Sequence, residues 1–132
     1  MSLVDHVSLF VADYERSKAF YVRVLEPLGA QLIMEYGRAA GFGHDRKPDF
    51  WIAEGPASYQ TAGDLSPITP VHLAFVARSR AQVDAFYAAA IAAGGRDFGA
   101  PGLRPEYHAQ YYGAFILDLD GHNIEAVVHG PG

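Results

Sequence analysis

The chain has 132 residues, half of them apolar and 19% charged. That length and balance suit one compact domain with its own core and exclude a disordered tail or a coiled coil. The absence of cysteine excludes a disulfide scaffold, a thiol nucleophile, a thiolate zinc site and an iron–sulfur cluster. A formal net charge of −5 argues against a nucleic-acid binder. No apolar run approaches the roughly 18 residues of a membrane span, and the N-terminus lacks the pattern of a signal peptide. The expectation is a cytoplasmic protein acting on a small molecule, with no nucleic acid and no membrane as partner.

The chain repeats itself at an offset of 66 residues. His6-Val7-Ser8-Leu9-Phe10-Val11 resembles His72-Leu73-Ala74-Phe75-Val76-Ala77, Phe20-Tyr21 falls on Phe86-Tyr87, and Gly29 falls on Gly95. A period this long, filling the chain twice, marks two equivalent modules, 1–65 and 66–132, within a single domain 1–132. The Pro-, Ser- and Gly-bearing stretch 55–70 reads as their connection.

In chain order, the first module opens with a strand over 3–11. Asp13 is placed to cap a helix whose apolar stripe is Phe20, Tyr21, Val24, Leu25 and Leu28, with Gly29 at its C-terminal end. Strands near 30–36, 38–43 and 49–54 follow. The second module opens with a strand over 71–77. Ser79 and Gln82 make a capping box, and Val83, Phe86, Tyr87, Ala90 and Ile91 make the helical stripe. Strands are expected near 96–100, 111–119 and 122–129, with Asp120-Gly121 as the turn between the last two. The fold class is therefore α+β, with each of the two modules reading βαβββ.

Strand alternation then sorts the candidate site residues. Val7, Leu9 and Val11 share a face suited to the helix, which leaves His6, Ser8 and Phe10 on the other. Leu73 and Phe75 likewise oppose His72, Ala74 and Val76, so both histidines face away from the helices beside small residues that leave room for a ligand. On the last strand, Ile124, Ala126 and Val128 suit the helix side and Glu125 projects onto the histidine side. An ionised carboxylate amid apolar strand residues is costly unless it is paired or ligates a metal. Two imidazoles and a carboxylate form a common divalent-metal set with positions left for water or substrate. For each residue alone the alternative is a satisfied core histidine or a carboxylate paired with an arginine. The ten residues from Leu103 to Tyr112 hold three tyrosines, His108 and Arg104. That loop could wall a substrate cleft, with Arg104 holding a carboxylate or phosphonate, Tyr107 or His108 as proton donor, and Tyr111 as a further contact.

Asp5-His6-Val7, Ala19-Phe20-Tyr21, Val71-His72-Leu73-Ala74-Phe75 and the run from Phe115 to Glu125 together resemble the vicinal oxygen chelate superfamily of glyoxalases, bleomycin-resistance proteins, fosfomycin-resistance enzymes and extradiol dioxygenases. Leu119 stands where that family's closing motif usually has proline. The resemblance implies two paired βαβββ modules whose mixed sheet curls round a metal-binding cleft, and His6, His72 and Glu125 as ligands of a divalent ion (Zn, Mn, Ni, Co or Fe), with Glu125 also able to move a proton. It places Trp51 at the fourth ligand position, where glyoxalase I has an acid; Glu54 reaches that position only if the strand slips in register. The activity implied is a glyoxalase-like lyase or isomerase working on a small oxygenated substrate or thiol adduct. A fosfomycin-type thiol transferase and a metal-free drug-binding protein are the alternatives. The resemblance also implies a homodimer, whose shared sites would take His6 and Glu125 from one subunit and His72 from the other.

Overall fold

The computed structural model describes residues 2–132. Its strands and helices, in order, are β1 (Val7–Phe10), α1 (Tyr14–Leu25), β2 (Gln31–Tyr36), β3 (Ala39–Gly43), β4 (Phe50–Ala53), β5 (His72–Val76), α2 (Arg80–Ala92), β6 (Arg96–Leu103), β7 (Tyr111–Leu117) and β8 (Asn123–His129). They build two four-stranded sheets of matching order, β1-β4-β3-β2 and β5-β8-β7-β6. In each, the first and last strands run parallel and the other pairings are antiparallel. The architecture is α+β, with sheets that curl without closing.

The helices begin where the sequence places them. Asp13 accepts from the Arg16 N–H and Ser79 from the Gln82 N–H. Gln82 departs from a reciprocal capping box, because its side-chain oxygen takes the N–H of Arg78. A single 3-10 turn, Glu26–Leu28, extends α1, and Gly29 ends it at φ 80°, a left-handed conformation that costs glycine little. β1 is shorter than 3–11. Its pairing starts with the Val7 N–H on the Asp49 carbonyl, and residues 3–6 have no strand beside them. β6 runs past Pro101 to Leu103, longer than 96–100, because it is an edge strand where a missing N–H breaks no ladder. The connection 55–70 contains a 3-10 turn, Ala62–Leu65, capped reciprocally by Thr61 and Asp64.

Leu9, Phe50 and Ile52 of one sheet and Ile116, Ile124 and Ala126 of the other are buried against Phe20, Tyr21, Val24, Val83, Phe86 and Ala90 of the two helices. The helices thus occupy one side of each sheet and leave the opposite face free for chemistry.

One turn bolts the two halves together. Asp118 is buried; its Oδ1 accepts the N–H groups of Asp120 and His122, both at 2.9 Å, and its Oδ2 accepts the Tyr21 hydroxyl at 2.5 Å. Asp120 accepts the Ala12 N–H at 3.0 Å. His122 Nδ1 accepts the Val71 N–H at 3.1 Å, which leaves the ring proton on Nε2 to be donated to the Phe10 carbonyl at 2.9 Å. Burial, followed by the Asp118 charge, pushes the Tyr21 hydroxyl well above its usual range, and burial raises the Asp120 carboxyl.

A hydroxyl whose folded pKa is raised stabilises the fold fully below the unfolded value, near 10, and that contribution is lost as pH rises beyond it. Tyr14, raised to about 12 by burial and its bond to Glu35, acts in the same direction. Stability is therefore expected to fall above pH 10 by about 1.4 kcal/mol per pH unit for each such tyrosine. Tyr21→Phe should cost about 1.5–3 kcal/mol at neutral pH and remove one increment of the alkaline slope. Tyr36→Phe, at an 83% exposed position, should do neither. Urea midpoints from pH 7 to 11 measure both effects, and an unchanged slope in Tyr21→Phe would show that Tyr21 ionises in the folded chain.

Candidate functional site

β5 and β8 lie side by side in register, His72 opposite Asn123 and Ala74 opposite Glu125. His72 and Glu125 therefore meet on the face away from the helices, with His72 Nε2 3.1 Å from Glu125 Oε1. Glu125 is only 2% exposed, so its carboxylate depends on its neighbours. Its Oε2 accepts the hydroxyl of Tyr111 on β7. That hydroxyl is held well above its usual range, first by burial, then by the bond to Glu125, with the charge of Arg104 opposing the rise; it stays protonated and available as a donor.

Gly113 makes this contact possible. A Cβ there would lie 3.2 Å from Tyr111 Cε1 and 3.3 Å from Glu125 Oε2. On the other side of Tyr111, Tyr107 packs edge-on at 4.8 Å, and His108 and His129 pack edge-on at 5.5 and 5.2 Å. The Gln110 N–H donates to His108 Nδ1, leaving the His108 proton on Nε2 for His129 Nδ1 at 2.8 Å. Among the hydrogen bonds of the described residues, Tyr107 and His108 make none to Glu125. The tyrosine that does is Tyr111.

The histidine tautomers are preset. His72 Nδ1 lies 3.0 Å from the Asn123 carbonyl, an acceptor only, so Nδ1 carries a proton, and Nε2 faces Glu125 Oε1 at 3.1 Å. A nitrogen that close to a carboxylate oxygen is held there by a proton or by a cation between them. His6 has the same arrangement on the other sheet. Its Nδ1 is 2.7 Å from Asp5 Oδ1, and the Asp5 carboxyl is held below its usual range by His6 first and by Lys47 next. A ring N–H given to a carbonyl or carboxylate, with the second nitrogen free, is the arrangement of metal-binding histidines. Asn123 Oδ1, two residues before Glu125, is buried without a hydrogen-bond partner. The donor set thus suits a divalent cation, although His6 stands just before β1 and belongs to the first sheet. Among the described residues of one chain, no three His, Asp or Glu side chains come together to hold a metal ion.

Trp51 pairs in register with Ser8 and Gly41. Its neighbours Phe50 and Ile52 are in the core, so Trp51 lies on the face away from the helix. Its ring covers Gly41, where a Cβ would sit 2.9 Å from Trp51 Cε2. Trp51 has no donor for a cation, which leaves that position open. Ser8 is exposed beside it. Glu54 accepts the Tyr14 N–H at 2.9 Å and lies 3.4 Å from Arg38, and so caps α1. Arg104 lies with its guanidinium carbon 5.4 Å from the centre of the Phe115 ring.

Sequence reasoning missed the Tyr111–Glu125 bond and the pairing of His108 with His129. The signal for the first is Tyr-x-Gly on a strand opposite a lone buried acid, a pattern readable only once β7 and β8 are aligned.

The model of the Glyoxalase/Bleomycin resistance protein/Dioxygenase superfamily matches residues 3–126. A glyoxalase/bleomycin resistance protein from Albidiferax ferrireducens T118 is 34% identical; the match covers 96% of this chain and 99% of that one, with a TM-score of 0.78. A protein of the same description from Burkholderia phytofirmans PsJN is 24% identical over 95% and 97% of the two chains, with a TM-score of 0.73. Lactoylglutathione lyase from Agrobacterium tumefaciens shares the fold at 18% identity, over 97% and 94%, with a TM-score of 0.67. No curated protein matches.

Tyr111→Phe should leave Glu125 Oε2 without its donor and lower stability by about 1–3 kcal/mol. Gly113→Ala should lower it too, by about 1 kcal/mol or more, because the added methyl separates Tyr111 from Glu125. In the double variant the two losses should fall short of additivity, since both act on one contact. Denaturant midpoints of the three proteins check this.

Proposed function

Because the chain belongs to the Glyoxalase/Bleomycin resistance protein/Dioxygenase superfamily, we propose that it is a metal-dependent enzyme of the lyase or isomerase type acting on a small oxygenated substrate or thiol adduct. The observation that carries this reading is the His72–Glu125 pair, an imidazole whose Nδ1 is held by a main-chain carbonyl and whose Nε2 faces a buried carboxylate. His72, Glu125 and His6 would hold the ion, which when bound acts as a Lewis acid on substrate oxygens. Glu125 is the group that takes a substrate proton. Tyr111 keeps Glu125 Oε2 in place and, being protonated, returns a proton from its own hydroxyl. Trp51 and Phe115 supply apolar walls.

Since His6 belongs to the other sheet, the set is completed by His6 of a second copy. This corrects the expected grouping of His6 with Glu125, because His72 and Glu125 are adjacent within one chain. β1 and β5 are edge strands, and apolar side chains lie open on β5 and just before β1, Val76 at 77% and Val4 at 61%. Soluble proteins cover such edges, and a two-fold dimer of roughly 29 kDa would do so.

The second reading is a metal-free protein that sequesters an aromatic drug, favoured by the cluster of rings that Tyr107, His108 and His129 form around Tyr111. Metal titration separates the two. Protein purified without chelators or a nickel column should bind one Zn, Mn, Ni, Co or Fe ion per chain. His72→Ala, Glu125→Gln and His6→Ala should each weaken that binding by more than the roughly 10- to 100-fold that loss of an orienting partner costs. Mixed dimers of His6→Ala and His72→Ala chains should recover one site per dimer. Wild-type protein that takes up none of these ions would favour the sequestering reading, and a monomer holding one ion per chain would end the shared-site reading.

A further inference from the structure

Arg104 is an arginine without a counter-ion in an acidic chain. The ion pairs among the described residues engage Lys18, Arg38, Lys47, His6 and His72, and none engages Arg104. Its side chain is nevertheless held in place. Nη2 donates to the Ala100 carbonyl at 2.8 Å, and Nη1 lies 3.5 Å from the Leu103 carbonyl. The guanidinium passes over two glycines, where a Cβ on Gly99 would stand 3.1 Å from Nη2 and one on Gly102 3.2 Å from Nη1. Its other flank rests on the Phe115 ring. Main-chain carbonyls fix the group without neutralising it, so the planar fork keeps free N–H groups and a full charge.

The location matters as much as the charge. Phe115 is opposite Glu125 in register, and its ring stacks on His72 at 6.1 Å and 25°. Arg104, Phe115 and the His72–Glu125 pair therefore form one continuous surface across β6, β7, β8 and β5. The loop that follows Arg104 is tied to it, with the Arg104 N–H on the Tyr111 carbonyl and the Tyr107 N–H on the Arg104 carbonyl.

We propose that Arg104 is an oxyanion subsite, and that the natural substrate is a short-chain acid whose carboxylate or phosphonate sits on Arg104 while its reacting oxygens lie at His72 and Glu125. A guanidinium fork matches a carboxylate or phosphonate edge-on with two parallel hydrogen bonds. β6 and β8 are two strand spacings apart, roughly 10 Å, and Arg104 leans back over Phe115 across part of that distance. The acid group and the reacting oxygens are therefore separated by several bonds. In placing the reacting end, this inference rests on the proposed function.

The test uses succinate and its uncharged diamide with the whole protein, free of metal. The side-chain Nε–H resonance of Arg104, assigned by its loss in Arg104→Gln, is followed by nitrogen-15 NMR. Succinate should shift it saturably, in wild type and in His72→Ala alike, with an affinity about tenfold or more above that of succinamide. By calorimetry Arg104→Gln should lose succinate binding and Arg104→Lys should recover part of it. Equal responses to succinate and succinamide would overturn the proposal, and that comparison needs no variant to fold. Succinate binding to Arg104→Gln at wild-type strength would overturn it as well. Metal titration reports separately on the proposed function: an Arg104 response in a protein that binds no metal upholds the subsite and removes the metal reading, and metal binding without an Arg104 response does the reverse.

Discussion

The buried carboxylate of Asp118 holds the molecule's two halves in one arrangement. It satisfies two N–H groups of its own turn and the hydroxyl of Tyr21 from the first helix. That geometry in turn brings Asp120 to the Ala12 N–H and His122 to the Phe10 carbonyl. Removing a partner from a buried charged group costs more than the bond itself contributes, because the charge is left unsolvated. The turn therefore works as a unit. It positions the end of β1 relative to the start of β5, and hence sets how the two open edge strands are presented.

Glu125 poses the same electrostatic problem on the opposite face and meets it differently. Asp118 is surrounded by committed donors. Glu125 takes the Tyr111 hydroxyl at one oxygen, and its second oxygen faces the His72 imidazole. The first carboxylate is closed within its turn, and the second lies between side chains of two neighbouring strands. The two are seven residues apart along adjoining segments, so what distinguishes their roles is the set of groups brought to them by other strands.

Much of this was legible from residue order. The 66-residue repeat, the Asp13 and Ser79 caps and the strand alternation are local or periodic signals. They placed His72 and Glu125 on one face. The illegible parts depend on cross-strand register. Tyr111 reaches Glu125 only because Gly113 leaves room between them, and His108 meets His129 across 21 residues of chain. β6 could continue through Pro101 because it lies at a sheet edge, which local propensity does not reveal. Residues 3–6 look like strand but extend beyond the start of β4, so no neighbour remains to pair with them. The separation of His6 from His72 and Glu125 was hidden for a related reason: a repeat fixes the likeness of two modules and says nothing of their relative placement.

The bolt at Asp118 also bears on synthesis. Its contacts to the first half span 97 to 112 residues of chain. While the ribosome is still making β7 and β8, α1 and β1 have no partner for the Tyr21 hydroxyl, the Ala12 N–H or the Phe10 carbonyl. The first half emerges with its sheet formed in outline and its inner surface unsealed, and closure waits until residues 118–122 have been made. Contacts of such long sequence separation slow folding and prolong exposure of apolar surface. Nascent chains stalled within the second half would therefore be the species most in need of chaperone protection.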